Sequence, residues 1–260
     1  MNSVTGRYRM IDDAGVRRAW GELDSCLAEL DRHRRWTAAD DDGRVVTVLL
    51  HGLMRTRHCM DPMAGKIRQT GGNPVAVGYA STRRGVADHA STLQAVLSDW
   101  PTSWQLRFVG HSMGNIVVRH WVGDRLRSGH PAILDRCEAM VMLGPPNQGS
   151  SIANKLRRTV VFGWVAGDGG MQMGPAFEEV RDQLATPPFP FAIIAGDISH
   201  YPMQNPLLDG PNDLLVTVEE TRLDGAAEQV TVPCPHARLM ERSDVVDRAL
   251  ELLDQIAVNR

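Results

Sequence analysis

The residues best suited to chemistry in this chain lie in the segment Gly110-His111-Ser112-Met113-Gly114. The segment fits the pattern G-x-S-x-G, and it stands between a strand-like stretch, Gln105 to Val109, and a helical stretch that begins near Asn115. Such a tight turn strains the serine backbone and exposes its hydroxyl, while the glycines avoid a collision across the turn. The following helix N-terminus favours an anionic intermediate. We therefore predict that Ser112 is a nucleophile.

A second motif, His51-Gly52-Leu53-Met54, directly follows the apolar run Val45 to Leu50. A loop in this position can supply one backbone N–H to the negative oxygen that develops on a substrate carbonyl, and the residue after the nucleophile supplies another. We expect the amides of Leu53 and Met113 to form this oxyanion hole. We interpret His51 as a residue that hydrogen-bonds within the loop rather than one that transfers protons.

A nucleophilic serine needs a base, and the base needs an acid that orients it. Among the histidines that follow Ser112, His120 lies in the helix after the turn and His130 lies where this helix ends. His236 stands between a short strand-like stretch and the last helix. We predict His236 as the base, with His200 as the alternative.

Three aspartates compete for the role of the acid. Asp197 closely follows the apolar run Phe191 to Ala195, and Asp209 comes later in the chain. Asp213 ends the turn Gly210-Pro211-Asn212-Asp213. We favour Asp213, although each of these aspartates could serve only to form a turn.

Together these motifs resemble the α/β-hydrolase superfamily, and within it the small bacterial lipases and esterases. The resemblance runs from about Val45 to the C-terminus and rests on HGL at 51–53, GHSMG at 110–114, GPPNQGS at 144–150, GPND at 210–213 and His236. In such lipases the histidine follows the acid by about two dozen residues. The separation between Asp213 and His236 is 23 residues, which favours Asp213.

The chain departs from this family at two places. Leu214 stands where a glycine is usual after the acid, and Cys234-Pro235 stands before the histidine where glycine or serine is commoner. In the GPPNQGS segment we interpret Asn147 as a structural residue of the loop floor.

The resemblance implies a serine hydrolase that cleaves small carboxylic esters through an acyl-enzyme and needs no cofactor. Ser112 would attack the ester, His236 would move the proton, and Asp213 would hold the imidazole tautomer. The alternatives are an acyltransferase, amidase or thioesterase with the same three residues, and a hydrolase-fold protein that only binds its ligand. No carboxylate cluster suggests a metal ion.

The elements that must position these residues alternate along the chain. Strand-like and helical stretches succeed one another from Val45 onward, which predicts an α/β-hydrolase fold: a mainly parallel sheet of about six strands with helices on both faces and few strands at its N-terminal side. Further upstream, apolar residues at helical spacing between Asp12 and Arg35 predict an amphipathic helix. We expect one domain over residues 1–260.

One segment interrupts this alternation. Between Gly144 and Pro190 the sequence is rich in glycine and proline, with apolar residues in between and a helix predicted near Pro175–Leu184. We interpret residues 150–188 as a small lid or cap over the substrate pocket; the alternative is an irregular surface excursion.

Composition excludes several classes of protein. A net charge of −3 gives no electrostatic reason to expect nucleic acid as a partner. No run of about 18 apolar residues predicts a membrane span, and the N-terminus does not resemble a signal peptide. The four cysteines lack C-x-x-C spacing, which argues against a zinc site. We expect a cytoplasmic protein whose partner is a small ester or acyl compound.

Overall fold

The computed structural model describes residues 8–11, 17–22, 24–26, 28–29, 42–151, 177–202 and 205–258. The chain divides into two compact units, residues 1–42 and residues 43–260.

In the first unit, strand β1 (Tyr8–Ile11) pairs antiparallel with strand β2 (Arg17–Gly21). The amphipathic helix predicted between Asp12 and Arg35 is therefore wrong across β2. Residues 24–26 and 28–29, within the same predicted range, are helical.

The second unit is built on a six-stranded parallel sheet, which confirms the predicted fold class. The strand order is β4-β3-β5-β6-β7-β8. The strands are β3 (Val45–Leu50), β4 (Asn73–Val77), β5 (Gln105–His111), β6 (Cys137–Leu143), β7 (Phe191–Gly196) and β8 (Glu228–Val232).

Helices cover both faces of this sheet. They are α1 (Asp61–Gln69), α2 (Val86–Ser98), α3 (Met113–Arg127), α4 (Phe177–Arg181) and α5 (Ser243–Val258), and shorter 3-10 turns occur at Arg57–Met60, Pro131–Arg136 and His236–Arg238. Successive strand residues point to opposite faces. Phe108 and Ile193 thus pack in the cluster with α2 and α3, whereas Val109 and Ile194 pack in the cluster with α1 and α5. The central strands are apolar on both faces because both faces are covered.

The order of the strands determines where a site can form. From β3 the chain moves outward to β4 and then crosses back to β5 on the other side of β3. The loops after β3 and β5 therefore diverge, and parallel sheets bind their ligands in the crevice at such a point. The HGL motif follows β3 and the GHSMG motif ends β5. Both motifs consequently lie at this crevice.

Residues 152–176, the main part of the predicted lid, lie outside the described residues. The helix predicted near Pro175–Leu184 is present in its described part as α4. The lid itself stays a prediction. Within the described ranges, none of the helices combines the length and apolar character that crossing a membrane requires.

Candidate active site

The turn at Ser112 joins β5 to α3 in a strained conformation. Ser112 has φ 54° and ψ −124°, a backbone region that residues other than glycine rarely occupy. Hydrogen bonds on both sides hold this conformation. The Ser112 N–H donates to the carbonyl oxygen of Leu143 at 2.9 Å, and the Asn115 side-chain amide donates to the carbonyl oxygen of Ser112 at 3.0 Å. The strain is therefore maintained by the packing of β6 and α3 around the turn.

The two glycines of the turn are required by close packing. A Cβ atom at Gly110 would lie 2.2 Å from Oδ1 of Asn115, and one at Gly114 would lie 2.6 Å from the carbonyl oxygen of Leu50. Gly114 thus lets the first turn of α3 approach the end of β3 more closely than any other residue would allow. This approach brings the serine turn against the loop after β3.

That loop, residues 51–54, is named the oxyanion loop here. A Cβ atom at Gly52 would lie 3.0 Å from Cβ of Ser112, so the loop and the serine are in contact. As the first residue of α3, Met113 has no acceptor for its amide within the helix. Throughout the part of the chain that the structure describes, the Leu53 amide likewise has no protein acceptor. These two amides are the ones that the sequence predicts for the oxyanion hole.

Asp213 and His236 form a buried pair. Nδ1 of His236 lies 2.7 Å from Oδ2 of Asp213, where the carboxylate accepts the ring proton. The other carboxylate oxygen accepts the N–H groups of Val216, at 2.7 Å, and Leu215, at 3.0 Å. The backbone N–H of His236 also donates to the Asp213 carbonyl oxygen at 2.9 Å. The imidazole is therefore fixed in position and in tautomer.

The end of β6 connects this pair with the serine. Leu143, whose carbonyl holds Ser112, is followed by Gly144 with φ 50°. A Cβ atom at Gly144 would lie 3.0 Å from Nδ1 of His236, so the imidazole packs directly on this glycine. The structure thus brings Ser112, Asp213 and His236 to the same edge of the sheet.

The alternative residues have other partners. One carboxylate oxygen of Asp197 accepts the N–H groups of Ser199 at 2.8 Å and Asn212 at 3.2 Å. Partial burial acts to raise the pKa of Asp197, but hydrogen bonds from the side chain and backbone of Ser199 and from the backbone of Asn212 outweigh it, and the pKa is lowered. Asp197 therefore shapes the turn that carries Asp213. The alternative base, His200, and the third aspartate, Asp209, are exposed.

His111 is a site residue that the sequence analysis did not identify. Its buried ring lies 4.8 Å from the ring of His236, and its Nε2 donates to the His236 carbonyl oxygen at 3.0 Å. Burial, together with the nearby His236, lowers the pKa of His111 well below its ordinary value. His111 occupies a variable position of G-x-S-x-G, so the pattern carries no signal for it.

Asn147 has the structural role that we predicted for it. Its Oδ1 accepts a hydrogen bond from Nη1 of Arg119 on α3 at 3.0 Å, and its Nδ2 donates to the carbonyl oxygen of Thr221 at 2.8 Å. Burial lowers the pKa of Arg119 to about 10. These contacts anchor the loop after β6 to α3.

The chemistry of the described side chains does not indicate a metal centre. Across the described ranges, no group of three or more histidine, cysteine, aspartate or glutamate side chains is arranged to hold a metal ion. Cys26, Cys59, Cys137 and Cys234 are free thiols.

Comparison with known proteins shows the fold. No protein-family model matches the chain, and no curated protein matches its sequence. The mature lipase BlEst2 of Bacillus licheniformis has a similar structure, with a TM-score of 0.66 and 17% identity over 82% of this chain and 93% of that chain. The metagenomic carboxyl esterase MGS0156 has a TM-score of 0.64 and 16% identity, with 84% of this chain and 76% of the esterase covered. The phospholipase PlaB of Legionella pneumophila has a TM-score of 0.60 and 14% identity, with 83% of this chain and 63% of PlaB covered. The chain therefore has the α/β-hydrolase fold.

The turn after the acid keeps a glycine-like shape although it contains a leucine. Leu214 has φ 84°, and its backbone is held by Oδ1 of Asn212, which accepts its N–H at 3.0 Å, and by Nδ2 of Asn205, which donates to its carbonyl oxygen at 2.8 Å. A left-handed conformation costs a side-chain-bearing residue roughly 1–2 kcal/mol. The departure from the family pattern is thus accommodated by strain.

We predict that Leu214→Gly raises the free energy of unfolding by about 0.5–1 kcal/mol, because relief of this strain exceeds the entropy that glycine adds to the unfolded chain. Urea denaturation would measure the change. Leu215→Gly is the matched control: its neighbouring position has no positive φ, so the same substitution should destabilise the protein. Destabilisation of similar size in both variants would contradict the strain at Leu214.

Three buried histidines near the site make stability depend on pH. Burial lowers the pKa of His51, His89 and His111, that of His89 to about 4. Below about pH 6.5 the unfolded chain takes up protons that the folded protein does not, so the free energy of unfolding falls with falling pH. His89→Phe should reduce the loss between pH 6.5 and pH 5 by about 1.5 kcal/mol, since one titrating group is removed. Urea denaturation at both pH values measures this, with the exposed His200→Phe as the control. An unchanged pH dependence in His89→Phe would refute the assignment.

Proposed function

We propose that this protein is a serine hydrolase that cleaves carboxylic esters, with Ser112 as nucleophile, His236 as general base and Asp213 as the acid that orients it. The observation that carries the proposal is the buried 2.7 Å hydrogen bond between His236 and Asp213 at the edge of the sheet where the strained Ser112 turn lies. A protein that only binds a ligand gains nothing from holding a serine in such a conformation. This arrangement therefore favours an enzyme over a binding protein.

The first half of the reaction forms an acyl-enzyme. Because Nδ1 of His236 donates to Asp213, the lone pair of the imidazole is on Nε2 and takes the proton of Ser112 as Oγ attacks the ester carbonyl carbon. The carbonyl oxygen becomes an oxyanion, and the amides of Leu53 and Met113 stabilise it. His236 then gives the proton to the leaving alcohol as the ester C–O bond breaks, and the acyl group remains on Ser112.

The second half releases the acid. His236 removes a proton from a water molecule, which attacks the acyl carbon, and the proton returns to Ser112 as its bond to the acyl group breaks. An alcohol, amine or thiol in place of water would give the acyltransferase alternative, and amide or thioester substrates would use the same steps. Hydrolysis is the simplest of these reactions because it requires no second substrate site.

The substrate that we propose is a small ester or acyl compound. Leu53 and Met54 in the oxyanion loop have apolar side chains that are not fully buried, and they suit an acyl chain. The structural neighbours named as a lipase and an esterase support an ester as the substrate. At their low sequence identity, the similarity itself extends only to the fold. A lid over residues 150–188 and a cytoplasmic location complete the proposal.

The proposal predicts that replacing Asp213 and replacing Asp197 have different effects on turnover. With p-nitrophenyl esters of two to sixteen carbons, Asp213→Asn should lower kcat by about 10⁴-fold, because the amide stabilises the wrong imidazole tautomer. Asp197→Asn is the matched control, since its carboxylate accepts two backbone N–H groups in the neighbouring turn but does not contact His236. It should retain turnover within about tenfold of the wild type. Ser112→Ala should lose nearly all turnover.

The chain length with the highest kcat/KM would give the size of the acyl pocket. A greater loss in Asp197→Asn than in Asp213→Asn would transfer the role of the acid to Asp197. Equal turnover in the wild type and Ser112→Ala would refute the proposed nucleophile.

A further inference from the structure

The loop after β4 contacts the oxyanion loop at both of its ends. The hydroxyl of Tyr79 donates to the carbonyl oxygen of His51, and the rings of these two residues are stacked with centroids 4.1 Å apart. The backbone N–H of Tyr79 donates to Nε2 of His51 at 3.4 Å. At the other end, Oγ of Ser81 accepts the N–H of Met54 at 3.1 Å. Residues from the loop after a different strand thus hold the first and the last residue of the oxyanion loop.

These contacts determine the tautomer of His51. Since Nε2 accepts a backbone N–H from Tyr79, the ring proton is on Nδ1, which donates to the carbonyl oxygen of Gly52 at 2.8 Å. His51 is fully buried, and burial lowers its pKa, which preserves the neutral ring that this arrangement requires. Both ring nitrogens of His51 therefore have defined partners.

The hydrogen bond to Gly52 orients the amide of Leu53. The carbonyl oxygen of Gly52 and the N–H of Leu53 belong to the same peptide unit, and the described chain contains no cis peptide. In a planar trans peptide these two groups point in opposite directions. When His51 fixes the carbonyl oxygen on one side, the Leu53 N–H must point to the other side. The direction of a proposed oxyanion donor is thus set by a side chain that does not touch the substrate.

We propose that Tyr79 is a positioning residue for the oxyanion hole: its hydroxyl holds the His51 main chain at the carbonyl oxygen, which keeps the His51 ring on the Gly52 carbonyl and so directs the Leu53 amide. Ser81 supports the other end of the loop at Met54. This inference rests on the proposed hydrolase function and assigns a role to the loop after β4. Tyr79 needs its hydroxyl for this role, because stacking on His51 alone would be satisfied by phenylalanine. Burial raises the pKa of the Tyr79 phenol, so it remains a donor.

The test is Tyr79→Phe, which removes the hydroxyl and keeps the ring. An oxyanion exists in the transition state and not in the bound ester, so loss of its stabilisation lowers kcat and leaves KM unchanged. Removal of one oxyanion donor costs roughly 10²–10³ in kcat, and misdirection of that donor should cost less, about tenfold. The affinity for an aliphatic trifluoromethyl ketone, which forms a tetrahedral oxyanion adduct with serine, should fall by the same factor.

Two further variants complete the experiment. Tyr201→Phe removes a hydroxyl from an exposed tyrosine and should leave kcat, KM and ketone affinity unchanged. Ser81→Ala should lower kcat and ketone affinity in parallel, by less than Tyr79→Phe, because it loosens only the Met54 end. Thermal unfolding of each variant checks that the fold is retained.

The outcomes separate the two proposals. If the wild type does not turn over any ester, the hydrolase proposal fails and this inference fails with it. If the wild type is active and Tyr79→Phe matches it in kcat and ketone affinity, the positioning role is wrong while the hydrolase proposal stands. A Tyr79→Phe variant that loses thermal stability but keeps its ketone affinity would also overturn the inference, since the tyrosine would then be only structural.

Discussion

The close approach of α3 to β3 is the constraint on which the rest of the site depends. At Gly114 the backbone of α3 lies so near the carbonyl oxygen of Leu50 that a Cβ atom would be only 2.6 Å away. This contact brings the start of α3, where the Met113 amide has no acceptor within the helix, to the loop after β3, and it holds Ser112 beside Gly52. The order of the strands adds a second requirement. Because β3 and β5 are neighbours and the loops that follow them diverge, a crevice forms beside Ser112.

Around this contact the buried histidines have different hydrogen-bond partners. His51 and His111 are buried, their pKa is lowered, and each donates a ring N–H to a backbone carbonyl oxygen. They serve as neutral hydrogen-bonding groups that fix loops. His236 differs because its Nδ1 donates to a carboxylate, which would stabilise the positive charge of the imidazole in the proposed reaction. Local environment thus gives chemically identical side chains different roles.

Much of the fold could be predicted because it depends on local patterns. The central strands of the parallel sheet are apolar on both faces, and the strands alternate with helices, so their positions are visible in the sequence. The serine turn is also visible because its geometry requires glycines at fixed spacing. The helix predicted between Asp12 and Arg35 is wrong at β2, since a few apolar residues at helical spacing in a short segment do not exclude a strand.

The parts of the site that escaped prediction depend on contacts between distant segments. Tyr79 and Ser81 meet the oxyanion loop 27 or 28 residues away in sequence, and no pattern in either segment announces the contact. The choice between Asp197 and Asp213 depends on which carboxylate the final fold directs at His236. The separation from His236 favours Asp213 in the sequence, and the hydrogen bonds of the structure distinguish the two aspartates directly.

The most direct test of the proposed nucleophile is covalent labelling with a fluorophosphonate, followed by mass spectrometry of the intact protein and its peptides. The account predicts one adduct per wild-type chain, on the peptide that contains Ser112, and none in Ser112→Ala. Asp213→Asn should react far more slowly than the wild type, because the base no longer activates the serine. An adduct on another residue, or equal labelling of wild type and Ser112→Ala, would contradict the account.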